Sequence, residues 1–157
     1  MKNRILALLL ALVMALFALT SCDILFGDVA DEGNVTVAVE NTDGTYDVFK
    51  TNLDKVENKN EGAKGVIEHI DETNERFYVE MVDSTYGAYV SVIGNIRESL
   101  ADKMYVIVYT SVAADSYEGA PTVQYEGVTL YRAGVGLSGM TVEEGTIILF
   151  RLEASPY

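Results

Sequence analysis

Ala63-Lys64-Gly65-Val66-Ile67-Glu68-His69-Ile70-Asp71-Glu72 decides the architecture of this chain. Ala63, Val66, Ile67 and Ile70 recur at helical spacing on one face, while Glu68, Asp71 and Glu72 point away from it. That is an amphipathic helix with one stripe to bury, and the chain on both sides of it reads as strand. Towards the N-terminus a polar connection, Asn52–Gly62, leads back to a strand over Thr45–Thr51. Asp43-Gly44 precedes it, a hairpin dipeptide because both central positions of the favoured turn want positive φ. Before that, Val35, Val37 and Val39 alternate with Thr36, Ala38 and Glu40, the period of a half-buried strand. Towards the C-terminus, Phe77, Val79 and Met81 alternate with Tyr78 and Glu80, and Ala88–Ile93 and Met104–Thr110 are dense in Val, Ile and Tyr. Thr122–Tyr125 and Val128–Tyr131 flank a second hairpin dipeptide, Glu126-Gly127, and Thr146–Leu152 follows the turn Glu143-Glu144-Gly145. A hairpin, one helix and then several strands predict an α+β fold in which the helix covers one face of a mixed sheet.

That order is β-grasp-like. Tyr125–Leu130, a loop, Met140–Gly145 and then Thr146–Leu149 resemble the closing section of ubiquitin-like folds, where a short hairpin and a polar turn deliver the last strand into the sheet centre. Residues 35–157 are therefore expected to form a single domain.

Tyr86-Gly87-Ala88-Tyr89-Val90-Ser91-Val92-Ile93-Gly94, Tyr105–Ser111, Gly134-Val135-Gly136 and Met140–Ile148 carry a family resemblance. They resemble an uncharacterised family of bacterial surface lipoproteins that is similar to the C-terminal domain of transcobalamin and intrinsic factor. The resemblance spans about Ala63 to Leu152. It implies a soluble-ligand-binding β-grasp domain of the kind whose eukaryotic relatives cover a bound cobalamin. One departure matters: many family members carry a Tyr-Trp pair where this chain reads Met104-Tyr105, and the chain has no Trp. The family's lid contacts match no positions here, so the resemblance assigns no ligand contact.

The N-terminus has a separate logic. Lys2 and Arg4 precede an uncharged apolar run, Ile5–Leu19, that ends in Leu19-Thr20-Ser21-Cys22. Spanning a bilayer takes about 20 apolar residues, so this shorter run reads as the h-region of a signal peptide over residues 1–21. Leu19–Cys22 resembles a lipobox, which implies that Cys22 becomes the acylated first residue of the mature chain. The alternative is an ordinary secretory leader with an incidental cysteine. Cys22 is the only cysteine, so no intramolecular disulfide can form, and acylation would remove an otherwise reactive thiol. Two acyl chains anchor stably where one is marginal. The expected location is thus the extracytoplasmic face of the cell membrane. Asp23 resembles an inner-membrane retention signal in bacteria with two membranes and means nothing in those with one. Residues 22–34 read as a tether too short and acidic to fold alone.

The 136 residues from Cys22 onward carry 9 basic and 24 acidic side chains, a formal charge of −15. That argues against nucleic acid and anionic headgroups as partners. Gly134-Val135-Gly136-Leu137-Ser138-Gly139 matches G-x-G-x-x-G, but a dinucleotide site needs a helix starting on the loop, and another strand follows too soon. His69 has no cysteine to join it in a zinc site, and no nucleophile elbow, Walker loop or calcium loop is present. No metal, cofactor or catalytic residue is expected.

The tyrosines stand out. Tyr86, Tyr89, Tyr105, Tyr109, Tyr117, Tyr125 and Tyr131 all fall in the second half. Tyrosine offers broad contact area and a polar tip at small entropic cost, although it is also an ordinary strand residue. Tyr86, Tyr89, Tyr117 and Tyr131 are the expected ligand contacts, near the glycine-rich loop. The chain then reads as a non-enzymatic surface domain for a soluble ligand, a corrinoid or another small nutrient. The second reading is a scaffold module that shows a sheet edge or tyrosine patch to another surface protein or to the cell wall.

Overall fold

The computed structural model describes residues 32–154, so the leader, Cys22 and the tether as far as residue 31 lie outside the described residues. β1 (Val35–Glu40) and β2 (Tyr46–Thr51) pair antiparallel, with Glu40 opposite Tyr46. The connection differs from the expected two-residue turn. Only Gly44 takes a positive φ, 83°. Asp43 instead accepts bonds from the Thr45 amide and hydroxyl, at 3.0 and 2.6 Å. Its side chain closes the loop locally, as Asx turns do, and leaves residues 41–45 between the strands. The two-residue form occurs at the other dipeptide. Glu126 (φ 49°) and Gly127 (φ 81°) join β7 (Thr122–Tyr125) to β8 (Val128–Arg132), as that turn type requires.

Six strands form the main sheet in the order β2-β1-β9-β6-β8-β7. β9 (Ile147–Ala154) enters its centre, parallel to β1 on one side and antiparallel to β6 (Met104–Thr110) on the other. Helix α1 (Ala63–Thr73) buries Ala63, Val66, Ile67 and Ile70, the stripe read from the sequence. These residues join Val35, Val37, Val39, Ile148 and Phe150 in the front core. Phe49 and Phe77 meet there edge to face, ring centres 4.8 Å apart.

The back of the sheet is packed as well. Ala38, Tyr109 and Leu149 from the central strands cluster with Tyr125 and Leu130 from the β7–β8 hairpin. β8 pairs with β6 through only Tyr109↔Arg132 and Thr110↔Tyr131, which leaves the rest of the hairpin free to fold across that face. The sheet curls so far that its two edge strands touch. Tyr46 on β2 and Tyr125 on β7 form a T-shaped pair with ring centres 5.1 Å apart.

A second sheet, not foreseen in the reading of one mixed sheet, consists of β3 (Val79–Val82), β4 (Tyr89–Ile93) and β5 (Ile96–Arg97). Val79, Met81, Val90, Ile93 and Ile96 turn inward and complete the front core. The register steps from Glu80↔Val92 to Met81↔Val90, which leaves Ser91 as a bulge. Among the described residues, no helix is long and apolar enough to cross a membrane.

Candidate functional site

The glycine-rich loop between β8 and β9 begins no long helix; it contains one short turn, Leu137–Gly139. A dinucleotide pyrophosphate therefore has no helix N-terminus to rest on. Leu137 and Met140 plug into the front core instead. Four attachments hold the loop. The Leu137 amide donates to Ala88 O at 2.9 Å. Gly136 lies against Tyr86 O and Gly87, so close that a Cβ there would sit 2.8 Å from Gly87 Cα. Gly87 itself has φ 100°, which favours glycine there, while the close approach favours it at Gly136. On the other flank, the Gly134 amide donates to Asp115 O at 2.8 Å. The buried Asp115 carboxylate accepts from the Thr141 amide (2.7 Å) and hydroxyl (3.0 Å), tying the end of the loop to the segment before Tyr117.

These attachments fix what the loop displays. Tyr86, beside Gly136, is 89% exposed, and Tyr117, against Gly134, is 48% exposed. Val135, between the two glycines, is 45% exposed. The result is a rim with a tyrosine on each side of a fixed glycine loop. Tyr86 and Tyr117 thus adjoin the loop. Tyr89, next to the Ala88 carbonyl that the loop bonds, stands on the outer face of the small sheet opposite Val82. Tyr131 is half-buried in β8, between Thr110 and Thr122. Sequence reasoning missed Asp115. Ala113-Ala114-Asp115-Ser116 matches no motif, and its partner Thr141 is distant in the chain.

The back face holds a separate polar group. Arg151 lies between Glu40 (3.4 Å) and Glu153 (3.3 Å), and the Tyr109 hydroxyl donates to Glu153 at 2.8 Å. Burial, then the bond to Glu153, pushes the Tyr109 hydroxyl up to about 12. Arg151 also lines an open cleft of about 430 Å³ beside Glu40, Asn41, Asp43 and Met104. Arg151 is ion-paired there with Glu40 and Glu153, and the Asp43 carboxylate is bonded to Thr45. Among the described residues, no group of three or more His, Cys, Asp or Glu side chains is placed to hold a metal ion. His69 is half-buried on α1.

No family model matches the chain, and no curated protein matches it. Solved structures do. The chain is similar to a candidate metal-binding protein from Ruminococcus gnavus ATCC 29149, at TM-score 0.55 and 14% identity over 79% of this chain and 99% of that one. It is also similar to haptocorrin in complex with Cbi, at TM-score 0.51 and 13% identity over 76% of this chain. The match spans 24% of haptocorrin, about a quarter of that protein. At such identities the likeness is one of fold: the chain shares with both the α+β architecture of a helix on a curled mixed sheet.

Proposed function

We propose that this chain is a non-enzymatic binding domain for a soluble small molecule, held at the extracytoplasmic face of a membrane by lipid on Cys22. The observation that carries the reading is the rim, where Tyr86 and Tyr117 stand exposed on either side of a loop whose backbone is fixed at Gly134, Gly136 and Leu137. Rigid tyrosines give contact area without a large ordering cost, and a loop already held in place needs little further ordering when a ligand arrives. Val135 adds an apolar contact and Ser138 a hydroxyl. Catalysis needs a nucleophile within reach of a base, and the one buried carboxylate nearby, Asp115, is engaged by Thr141. A corrinoid is the first ligand class to test, because haptocorrin, of similar fold, is seen with Cbi.

The test is a thermal-shift titration with cobinamide and cobalamin. Ligand at 100 times its dissociation constant should stabilise the fold by about 2.7 kcal/mol. Tyr86→Ala combined with Tyr117→Ala should abolish the shift. No shift with either corrinoid removes that ligand class, and a shift that survives the double substitution removes the rim as its site. The anchor is tested separately: Cys22→Ser should leave the chain unprocessed or free of membranes, and unchanged anchoring would refute acylation at that residue.

A further inference from the structure

The outer face of the small sheet is a surface that the rim does not use. Tyr78, just before β3, and Glu80 and Val82 within it alternate outward, with Val82 opposite Tyr89 and Glu80 opposite Val92, which in turn pairs with Arg97. Tyr78 is 52% exposed and Tyr89 44% exposed. Between them the polar groups are ordered. The Tyr78 hydroxyl donates to Glu80 Oε1 at 2.7 Å, and Arg97 forks onto both Glu80 oxygens at 3.3 and 3.5 Å. Tyr78 first, then Arg97, hold the Glu80 carboxyl below its ordinary range, so it stays an acceptor.

We propose that this face binds a neutral, hydroxyl-rich polysaccharide chain, with Tyr78 and Tyr89 as stacking surfaces and the Glu80–Arg97 pair as the hydrogen-bonding centre. A pyranose ring has an apolar C–H face and a rim of hydroxyls. A tyrosine ring covers the first, and a carboxylate beside a guanidinium offers acceptors and donors to the second. Charge complementarity selects the neutral class. Glu80 and Arg97 neutralise each other, while the whole chain carries a formal charge of −13 and repels polyanions. A polycation would meet Arg97 at the centre and a carboxylate already bonded. Shape favours a polymer over a compact ligand. Along the backbone, from Tyr78 to the Val82–Tyr89 pair is roughly 13 Å of extended chain, which is longer than one sugar ring. The face is an open sheet surface and not an enclosed pocket.

Affinity electrophoresis of the full chain tests this, in native gels containing hydroxyethylcellulose, galactomannan or pullulan, with polygalacturonate as the anionic control. Retardation is expected in at least one neutral gel and not in polygalacturonate. Tyr78→Ala and Tyr89→Ala should each weaken it about fivefold, as expected for loss of one aromatic contact. Tyr78→Phe, which keeps the ring, should retain most of it, and Tyr86→Ala at the rim should not change it. Both tyrosines are exposed, so the fold should survive their loss, and matching thermal melts would verify this. No retardation in any neutral gel, or retardation unchanged by either alanine substitution, overturns the proposal.

Discussion

Replacing Asp115 with alanine should cost about 2 kcal/mol of folding stability, and the reasoning comes from its two hydrogen bonds. The carboxylate accepts from the Thr141 amide at 2.7 Å and from the Thr141 hydroxyl at 3.0 Å. Hydrogen bonds to a charged group contribute about 1.5–3 kcal/mol each, which sets an upper limit well above the expected loss. Thr141 is exposed, so its hydroxyl can turn to water and recover most of its share. The Gly134 amide bonds to the Asp115 carbonyl and is untouched by the substitution. Asp115→Asn keeps a carbonyl for the Thr141 amide and loses the charge, so about 1 kcal/mol is expected. Thr141→Val removes only the hydroxyl bond and should cost less than about 1 kcal/mol. Urea unfolding at neutral pH, fitted with a common slope, measures all three. The order Asp115→Ala, Asp115→Asn, Thr141→Val is the signature of a carboxylate that holds the loop. An alanine variant within about 0.5 kcal/mol of the parent, the range of inert surface changes, would refute it. So would a valine variant more damaged than the alanine one.

Three further outcomes follow from the packing. Gly65→Ala would stabilise an ordinary helix by about 1 kcal/mol, but here the new Cβ meets the Asn58 backbone, with Asn58 C at 2.8 Å. A lower urea midpoint is expected, and a higher one would show that the Asn58 loop yields freely. A double-mutant cycle on Tyr46 and Tyr125 should give a coupling of about 0.5–1.5 kcal/mol, and a value near zero would mean that the sheet edges do not meet in solution. Tyr109 titrates near 12 in the fold against 10 when unfolded. The fold favours its neutral form, so this contribution is fully present below pH 10 and is lost as pH rises through 12, by about 2–3 kcal/mol. Unfolding midpoints of Tyr109→Phe should lack that alkaline loss, and parallel decline in parent and variant would exclude Tyr109 as its source.

The legible parts of this fold are those set by local pattern. The buried stripe of α1 and the alternation of Val35, Val37 and Val39 each lie within one element, and both face the front core as read. The central place of β9 was legible through the resemblance of the closing section to ubiquitin-like folds. Partition into two sheets was not. It depends on which strands pair, and β5 is only Ile96-Arg97, too short to show a period. Ala38 looked like the outward partner of the valines, yet it is fully buried, because a hairpin distant in sequence folds over the back face. Asp43-Gly44 misled through the Asp43 side chain, whose bonds to Thr45 favour a longer loop than the dipeptide suggests. The tyrosines were legible as chemistry but not as geometry. Tyr89 faces outward because of its pairing with Val82, and no pattern within its own strand reports that pairing.

The packing also explains why recognition should fall at the margins of this fold. In β1 and β9 both faces are committed, with Val37 and Phe150 to the front and Ala38 and Leu149 to the back. A ligand entering between the layers would displace close-packed side chains, at a cost of several kcal/mol for each large residue moved. The curl that lets Tyr46 meet Tyr125 covers the back face, and the small sheet covers the front. What remains includes loops, the outer side of that small sheet and the open cleft beside Arg151. An open rim touches a ligand from one side, whereas enclosed pockets bury roughly 70–90% of theirs. Affinity at such a rim must then come from preorganisation more than from area. The rim has that property in its backbone: the Gly87–Gly136 contact and the Asp115–Thr141 bonds hold the segments that carry Tyr86 and Tyr117 before anything binds. A rim that is rigid but open favours capture and release, and tight retention would require a second surface to close over the ligand.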